Sequence, residues 1–184
     1  MEEYSDRAPA DVAWYPMVPI RDVVIFPFTK VAFKIGRQGS VRALEQALAA
    51  DRTIFLATQH DATIDEPSPD QIYGVGTLGR ILQSQKQDNG QIKVVVEGRE
   101  RATTVRVENT DGAFMALVKR APVANEDGTR LDALVQKIAQ LVEQHLRLAP
   151  ESQTDALQTA LRNQNPSHLA DALASQLRIS VEDK

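Results

Sequence analysis

Leu78 to Val96 reads LGRILQSQKQDNGQIKVVV, and this stretch decides the fold. Two extended runs, Leu78 to Gln87 and Gln91 to Val96, are separated by Asp88-Asn89-Gly90. Asn-Gly supplies residues that tolerate φ > 0, which the tight turn of a β-hairpin requires. Gly98 follows Glu97 and marks a bulge or a corner, since glycine inside a strand pattern signals close backbone approach.

Working outward, further strand patterns flank the hairpin. Thr103–Val107 and Phe114–Val118 follow it, and Thr53–Thr58 precedes it as a short buried run. Lys30 to Ile35 alternates Val31, Phe33 and Ile35 against Lys30, Ala32 and Lys34, the period of a half-buried strand. Trp14–Ile20 and Val23–Phe26 are apolar runs broken by Pro16, Pro19 and Pro27. Proline cannot donate to a ladder, so this segment is expected on edge strands and in bends. One helix interrupts the strands: Ser40 is the expected N-cap, and Val41, Leu44, Ala47 and Leu48 fall on one face. Asp61 to Asp70, acidic and carrying Pro67 and Pro69, has neither period and is expected as a loop.

Behind Pro122 the composition changes. Every Phe and Trp lies before residue 115, and only Gly128 among the glycines lies beyond Gly112. Leu131, Leu134, Ile138, Leu141, His145 and Leu148 recur at alternating helical spacings, with Val135 and Val142 widening the stripe into an expected core-facing side. That stripe suits an intramolecular bundle or a dimer seam equally. A second helix would hold Ala156, Leu157, Ala160 and Leu161. A third is capped by Asn165, with Pro166 first and Leu169, Leu173 and Leu177 as its apolar face. The fold class is therefore α+β: residues 13–122 β-rich with one inserted helix, residues 123–184 a helical bundle. Residues 1–12 are expected as a disordered acidic tail.

Composition removes several functions. The chain has no cysteine, which excludes disulfides, thiolate nucleophiles and cysteine-held zinc, and fits a reducing compartment. A net charge of −4 argues against general nucleic-acid binding. No apolar run reaches the roughly 18 residues of a spanning helix. No Walker A sequence occurs, and His60, His145 and His168 are too scattered for metal ligation. Gly74, Gly76 and Gly79 satisfy G-x-G-x-x-G, but loop precedes them and a strand follows, so bending or close strand approach is the better account. Arg99, Arg101 and Arg106 form a basic cluster, yet Glu97, Glu100 and Glu108 are interleaved, which favours cross-strand ion pairs over RNA phosphate. No catalytic constellation, metal site or cofactor is expected. Phe26-Pro27-Phe28 stands apart. Strand alternation cannot bury both rings on one side, so one ring is expected at the surface unless two packed layers take both.

The run Pro16-Met17-Val18-Pro19-Ile20-Arg21-Asp22-Val23-Val24-Ile25-Phe26-Pro27 resembles the opening of the N-terminal domain of Lon, the ATP-dependent AAA+ serine protease family. The similarity continues in order through Gly36-Arg37 and Ser40 to Glu45, Asp65-Glu66-Pro67, Tyr73 to Thr77, Asp88-Asn89-Gly90, Val94 to Ala102, Leu169 to Ala174 and Glu182-Asp183-Lys184. It departs at Gln38-Gly39, where the family usually has charged residues, and at Ala32, where it often has proline; both stand at the expected substrate-facing edge. The resemblance implies a PUA-like β barrel or pseudo-barrel followed by a helical bundle. It implies a non-catalytic recognition and assembly domain of a cytoplasmic, hexameric protease that degrades misfolded and regulatory proteins, with the ATPase and Ser–Lys sites downstream of Lys184. Unfolded or damaged proteins and the other hexamer subunits are the expected partners; no membrane is. Phe26, Phe28 and Phe33 are the expected apolar contacts, and Arg37 and Arg42 the polar ones. A free-standing Lon-domain adaptor and a PUA-like RNA-binding module remain the alternatives.

Overall fold

The computed structural model describes residues 12–121, 129–147, 158–159, 161–162 and 165–184. The chain packs as two compact units, one ending at Ala121 and one beginning at Pro122. The first holds β1 (Val12–Ile20), β2 (Lys30–Ile35), α1 (Gln38–Ala49), β3 (Thr53–Thr58), β4 (Val75–Lys86), β5 (Ile92–Thr110) and β6 (Ala113–Arg120). Residues 1–11 of the expected tail lie outside the described residues, and Val12 already opens β1.

The strands form one mixed sheet in the order β2-β5-β4-β3-β1-β6, and β6 pairs with β5 as well. The β4–β5 hairpin turns where Asn-Gly placed it, with Gly90 at φ 81°. The two expected strands after the turn are one strand, β5. It pairs with β2 up to Glu97 and with β6 from Ala102. Between these stretches its register against β4 shifts: Leu78 pairs with Glu100 but Gly79 with Gly98, leaving Arg99 as the extra residue of a bulge. The strand bends there and changes partner instead of ending.

β1 is not the edge strand its prolines suggested. Its first part pairs with β6 and its last part runs parallel to β3. Among the described residues only Met17 is paired on both sides, so Pro16 and Pro19 each stand where one side carries no strand and a missing N–H costs nothing. Val23–Phe26 is loop. Helix α1 begins at Gln38 with Arg37 as an N-cap that makes no side-chain cap bond; Ser40, expected as the cap, lies buried within the first turn. Ala43, Leu44 and Ala47 of α1 are fully buried against Val18, Ile54, Val94 and Val96, with Val41 and Leu48 packed at the margin. Burying one leucine contributes about 1.5–3 kcal/mol. A second cluster, around Met17, Phe55, Leu78 and Val118, fills the other side of the sheet.

The second unit holds α2 (Thr129–Leu146) and α3 (Pro166–Gln176). Asn165 caps α3 as expected: its Oδ1 accepts from the Ser167 N–H at 3.0 Å and the His168 N–H at 3.3 Å. The stripe on α2 departs from expectation. Leu134 and Leu141 are each 52% exposed, and Val142 is the buried residue, packed with Leu169 and Ala172 of α3. The flanking Val135 and Val142, rather than Leu134 and Leu141, face the neighbouring helix. Leu177, expected on the apolar face of α3, ends that helix and is exposed. Of the intermediate helix, residues 158, 159, 161 and 162 are helical; Ala156, Leu157 and Ala160 lie outside the described residues, as do Leu148 and the His145 side chain.

Candidate functional site

The loop joining β1 to β2 is the most constructed irregular segment of the first unit. A loop threaded between strands exposes carbonyls that the ladder does not satisfy, and here threonines take them. Thr58 Oγ1 donates to the Val23 carbonyl at 2.9 Å, Thr77 Oγ1 to Ile25 at 2.6 Å, and Thr29 Oγ1 to Phe26 at 2.6 Å. The β5 bulge clamps the far end. Phe28 N–H donates to the Gly98 carbonyl at 2.9 Å, and Gly98 N–H to the Thr29 carbonyl at 2.9 Å. A side chain at position 98 would run into the Phe26 carbonyl, so only glycine permits this approach.

The clamp separates the two rings that alternation left undecided. Phe26 is 6% exposed and joins the core, whereas Phe28, at φ 61°, is 52% exposed. A bulky residue in the left-handed region is an outlier that the surroundings must enforce. Phe33 is half-buried on β2, packed at the margin of the α1-side core.

Arg37 and Arg42 are both engaged within the chain. Arg37 Nη1 donates to Gln59 Oε1 at 2.9 Å and to the Asp65 carbonyl at 3.0 Å, and its Nη2 to the Pro19 carbonyl. Gln59 in turn donates to the Asp61 and Ile64 carbonyls. Arg37 thus ties the acidic loop to the end of β1, and Arg21 pairs with the Asp65 carboxylate beside it. Burial, with the nearby Arg21 charge, lowers the Arg37 pKa, partly offset by Asp65. Arg42 Nη1 donates to the Asp111 carbonyl at 2.7 Å and holds the β5–β6 turn. Two grooves meet at Arg37. One of about 660 Å³ includes Ile20, Val23, Phe33 and the hairpin tip; one of about 530 Å³ includes Arg42, Glu66 and Phe114.

The other chemistry candidates resolve into packing. A side chain at Gly76 would meet the Leu56 carbonyl at 2.5 Å, so that glycine serves close strand approach. Arg99 holds Glu97 at 2.6 Å and Arg106 holds Glu108 at 2.7 Å, pairs along one strand where cross-strand pairs were expected; Arg120–Glu100 at 3.4 Å does cross. Among the described residues no group of three or more His, Asp or Glu side chains could hold a metal ion. Sequence reasoning missed the threonine hydroxyls and Gln59. For Thr58 and Thr77 the signal was a polar residue at a buried strand position; Thr29 and Gln59 lie just outside β2 and β3 and carried none.

The chain matches the family model of the ATP-dependent protease La (LON) substrate-binding domain over residues 14–184. It belongs to that family. The Lon protease of Solibacter usitatus (strain Ellin6076) is 46% identical over 180 residues, and that of Rhizobium meliloti (strain 1021) 37% identical over 172. These alignments cover 98% and 94% of this chain but 22% and 21% of the relatives, so the chain spans about a fifth of the curated proteins it matches. The N-terminal domain of the Mycobacterium avium complex Lon protease shares the fold with a TM-score of 0.72 at 19% identity, covering 93% of this chain and 87% of that one. A Lon N-terminal domain protein from Xanthomonas campestris gives 0.56 at 14% identity, covering 90% and 99%. The α+β Lon N-domain fold and the substrate-binding assignment thus follow from the Lon family match together with the shared fold. No helix among the described residues is long and apolar enough to cross a membrane.

Proposed function

We propose that this Lon domain captures unfolded or damaged protein segments for a protease of which it is one part. The observation that carries the reading is Phe28: an aromatic ring held outward at 52% exposure by the Gly98 clamp and the threonine-satisfied loop. A singly exposed apolar residue is ordinary, but Phe28 is held there in the left-handed region at φ 61°, and backbone strain that the surroundings enforce clusters at binding sites. Phe33 lines one of the two grooves and Arg42 the other, with Arg37 shared between them. Phe26 acts from beneath, as the core anchor of the loop.

In this reading the hydrogen-bonded circuit β5-β4-β3-β1-β6 is the PUA-like barrel of residues 13–122, and residues 123–184 are the helical bundle. The parent is a cytoplasmic, hexameric, ATP-dependent serine protease acting on misfolded and regulatory proteins. Six copies around one pore convert weak contacts into useful capture, because tethering raises their effective concentration. Recognition of apolar segments by one ring is degenerate, as a quality-control protease needs.

Replacing Phe28 by Ser tests this. Affinity for a fluorescent unfolded protein is expected to fall roughly tenfold, about 1.4 kcal/mol, with the melting temperature unchanged. A large drop in melting temperature would instead make Phe28 a core residue. Equal binding of native and unfolded test proteins would reject capture.

A further inference from the structure

β2 is hydrogen-bonded on one side only, to β5 from Lys30↔Glu97 to Ile35↔Ile92; its other side carries no strand among the described residues. The unpaired N–H and C=O groups of such an edge are a template for an added strand. The side chains of β2 divide cleanly. Ile35 is buried and Val31 and Phe33 are half-buried, whereas Lys30, Ala32 and Lys34 are exposed.

The exposed face carries an unbalanced charge. Lys34 lies directly opposite Lys93 in the antiparallel register, and neither pairs with a carboxylate among the described residues. Like charges directly opposite are destabilising. Lys30, by contrast, has Glu97 at 3.9 Å. A groove that includes Ile20, Val23 and Phe33 opens at the Lys34 end of the strand, and Lys34 lines it.

We propose that the free edge of β2 takes an extended acidic peptide as a further strand, with a carboxylate beside Lys34. The inference rests on the capture reading and names its mode. The added strand would lie about 4.8 Å from β2. It would alternate carboxylates toward the Lys34 face and apolar residues toward the Phe33 side. Backbone pairing supplies affinity without a fixed sequence, and the lysines bias that affinity by charge. A second copy of this strand is a poor occupant. Its KVAFKI sequence would set lysine beside lysine in both the parallel in-register and the face-matched antiparallel pairing. RNA is also a poor occupant, because the edge alternates carbonyl acceptors with its donors and those carbonyls repel phosphate.

Fluorescence anisotropy with a short labelled peptide of alternating valine and glutamate tests the edge. The expected affinity is roughly tenfold above that of the valine–lysine peptide. Lys34→Glu, a surface change that also removes the clash with Lys93, should erase that preference. N-methylation of alternate amides in the acidic peptide should cost roughly tenfold by blocking strand pairing. Indifference to N-methylation, a charge preference that survives Lys34→Glu, or tighter binding of a single-stranded RNA would overturn the proposal. If unfolded protein binds while the edge variants change nothing, capture stands and the edge falls. If neither unfolded protein nor peptide binds, both fall.

Discussion

The two units treat apolar residues differently. In the β unit, alternation told truthfully which side chains are covered: Val31, Phe33 and Ile35 face inward and Lys30, Ala32 and Lys34 outward, as their spacing predicts. In the helical unit the more regular pattern misleads. Leu134, Ile138 and Leu141 keep heptad-like spacing yet lie exposed, and the flanking Val142 is buried. A strand has two faces, and its register fixes both at once. A helix bearing a broad apolar arc can turn either part of it to a partner, and spacing alone does not choose.

That contrast can be broken by mutation. Phe55, fully buried beneath the sheet, should cost about 3–5 kcal/mol when replaced by Ala, read in urea through the single tryptophan, Trp14, which reports the β unit. Leu141→Ser should change stability by no more than about 0.5 kcal/mol. Comparable losses at the two sites would mean that the leucine stripe is core after all. Asn165→Ala removes the side-chain oxygen that accepts from the Ser167 and His168 N–H groups of α3 and should cost about 1 kcal/mol, followed by far-ultraviolet circular dichroism. No change would show that α3 is held by packing alone.

Much of the fold was legible because local signals agreed with one another. Asn89-Gly90 fixed a hairpin, Gly98 a bulge, and Asn165-Pro166 a helix start. What stayed hidden depends on distant partners. Val23–Phe26 has the composition of a strand, but its carbonyls go to Thr58, Thr77 and Thr29, two of them far away in sequence. Ser40 has the chemistry of a cap, but the chain becomes helical two residues earlier. At the candidate site, sequence showed that Phe26 and Phe28 could not share a side; only the Gly98 clamp decides which ring emerges. Arg37 and Arg42 were legible as charges near a helix start. Their carbonyl partners were not, since side-chain-to-backbone bonds leave no mark on sequence pattern.

Capture of substrate by the β unit around the Phe28 loop, as proposed, would leave a footprint on the backbone amides. Hydrogen exchange of the domain with and without a saturating unfolded protein tests it most directly. Slowed exchange is expected in the Phe26–Ile35 segment, with exchange along α2 unchanged. Protection confined to the Leu134–Leu141 stretch of α2, with the Phe28 loop unaffected, would contradict it.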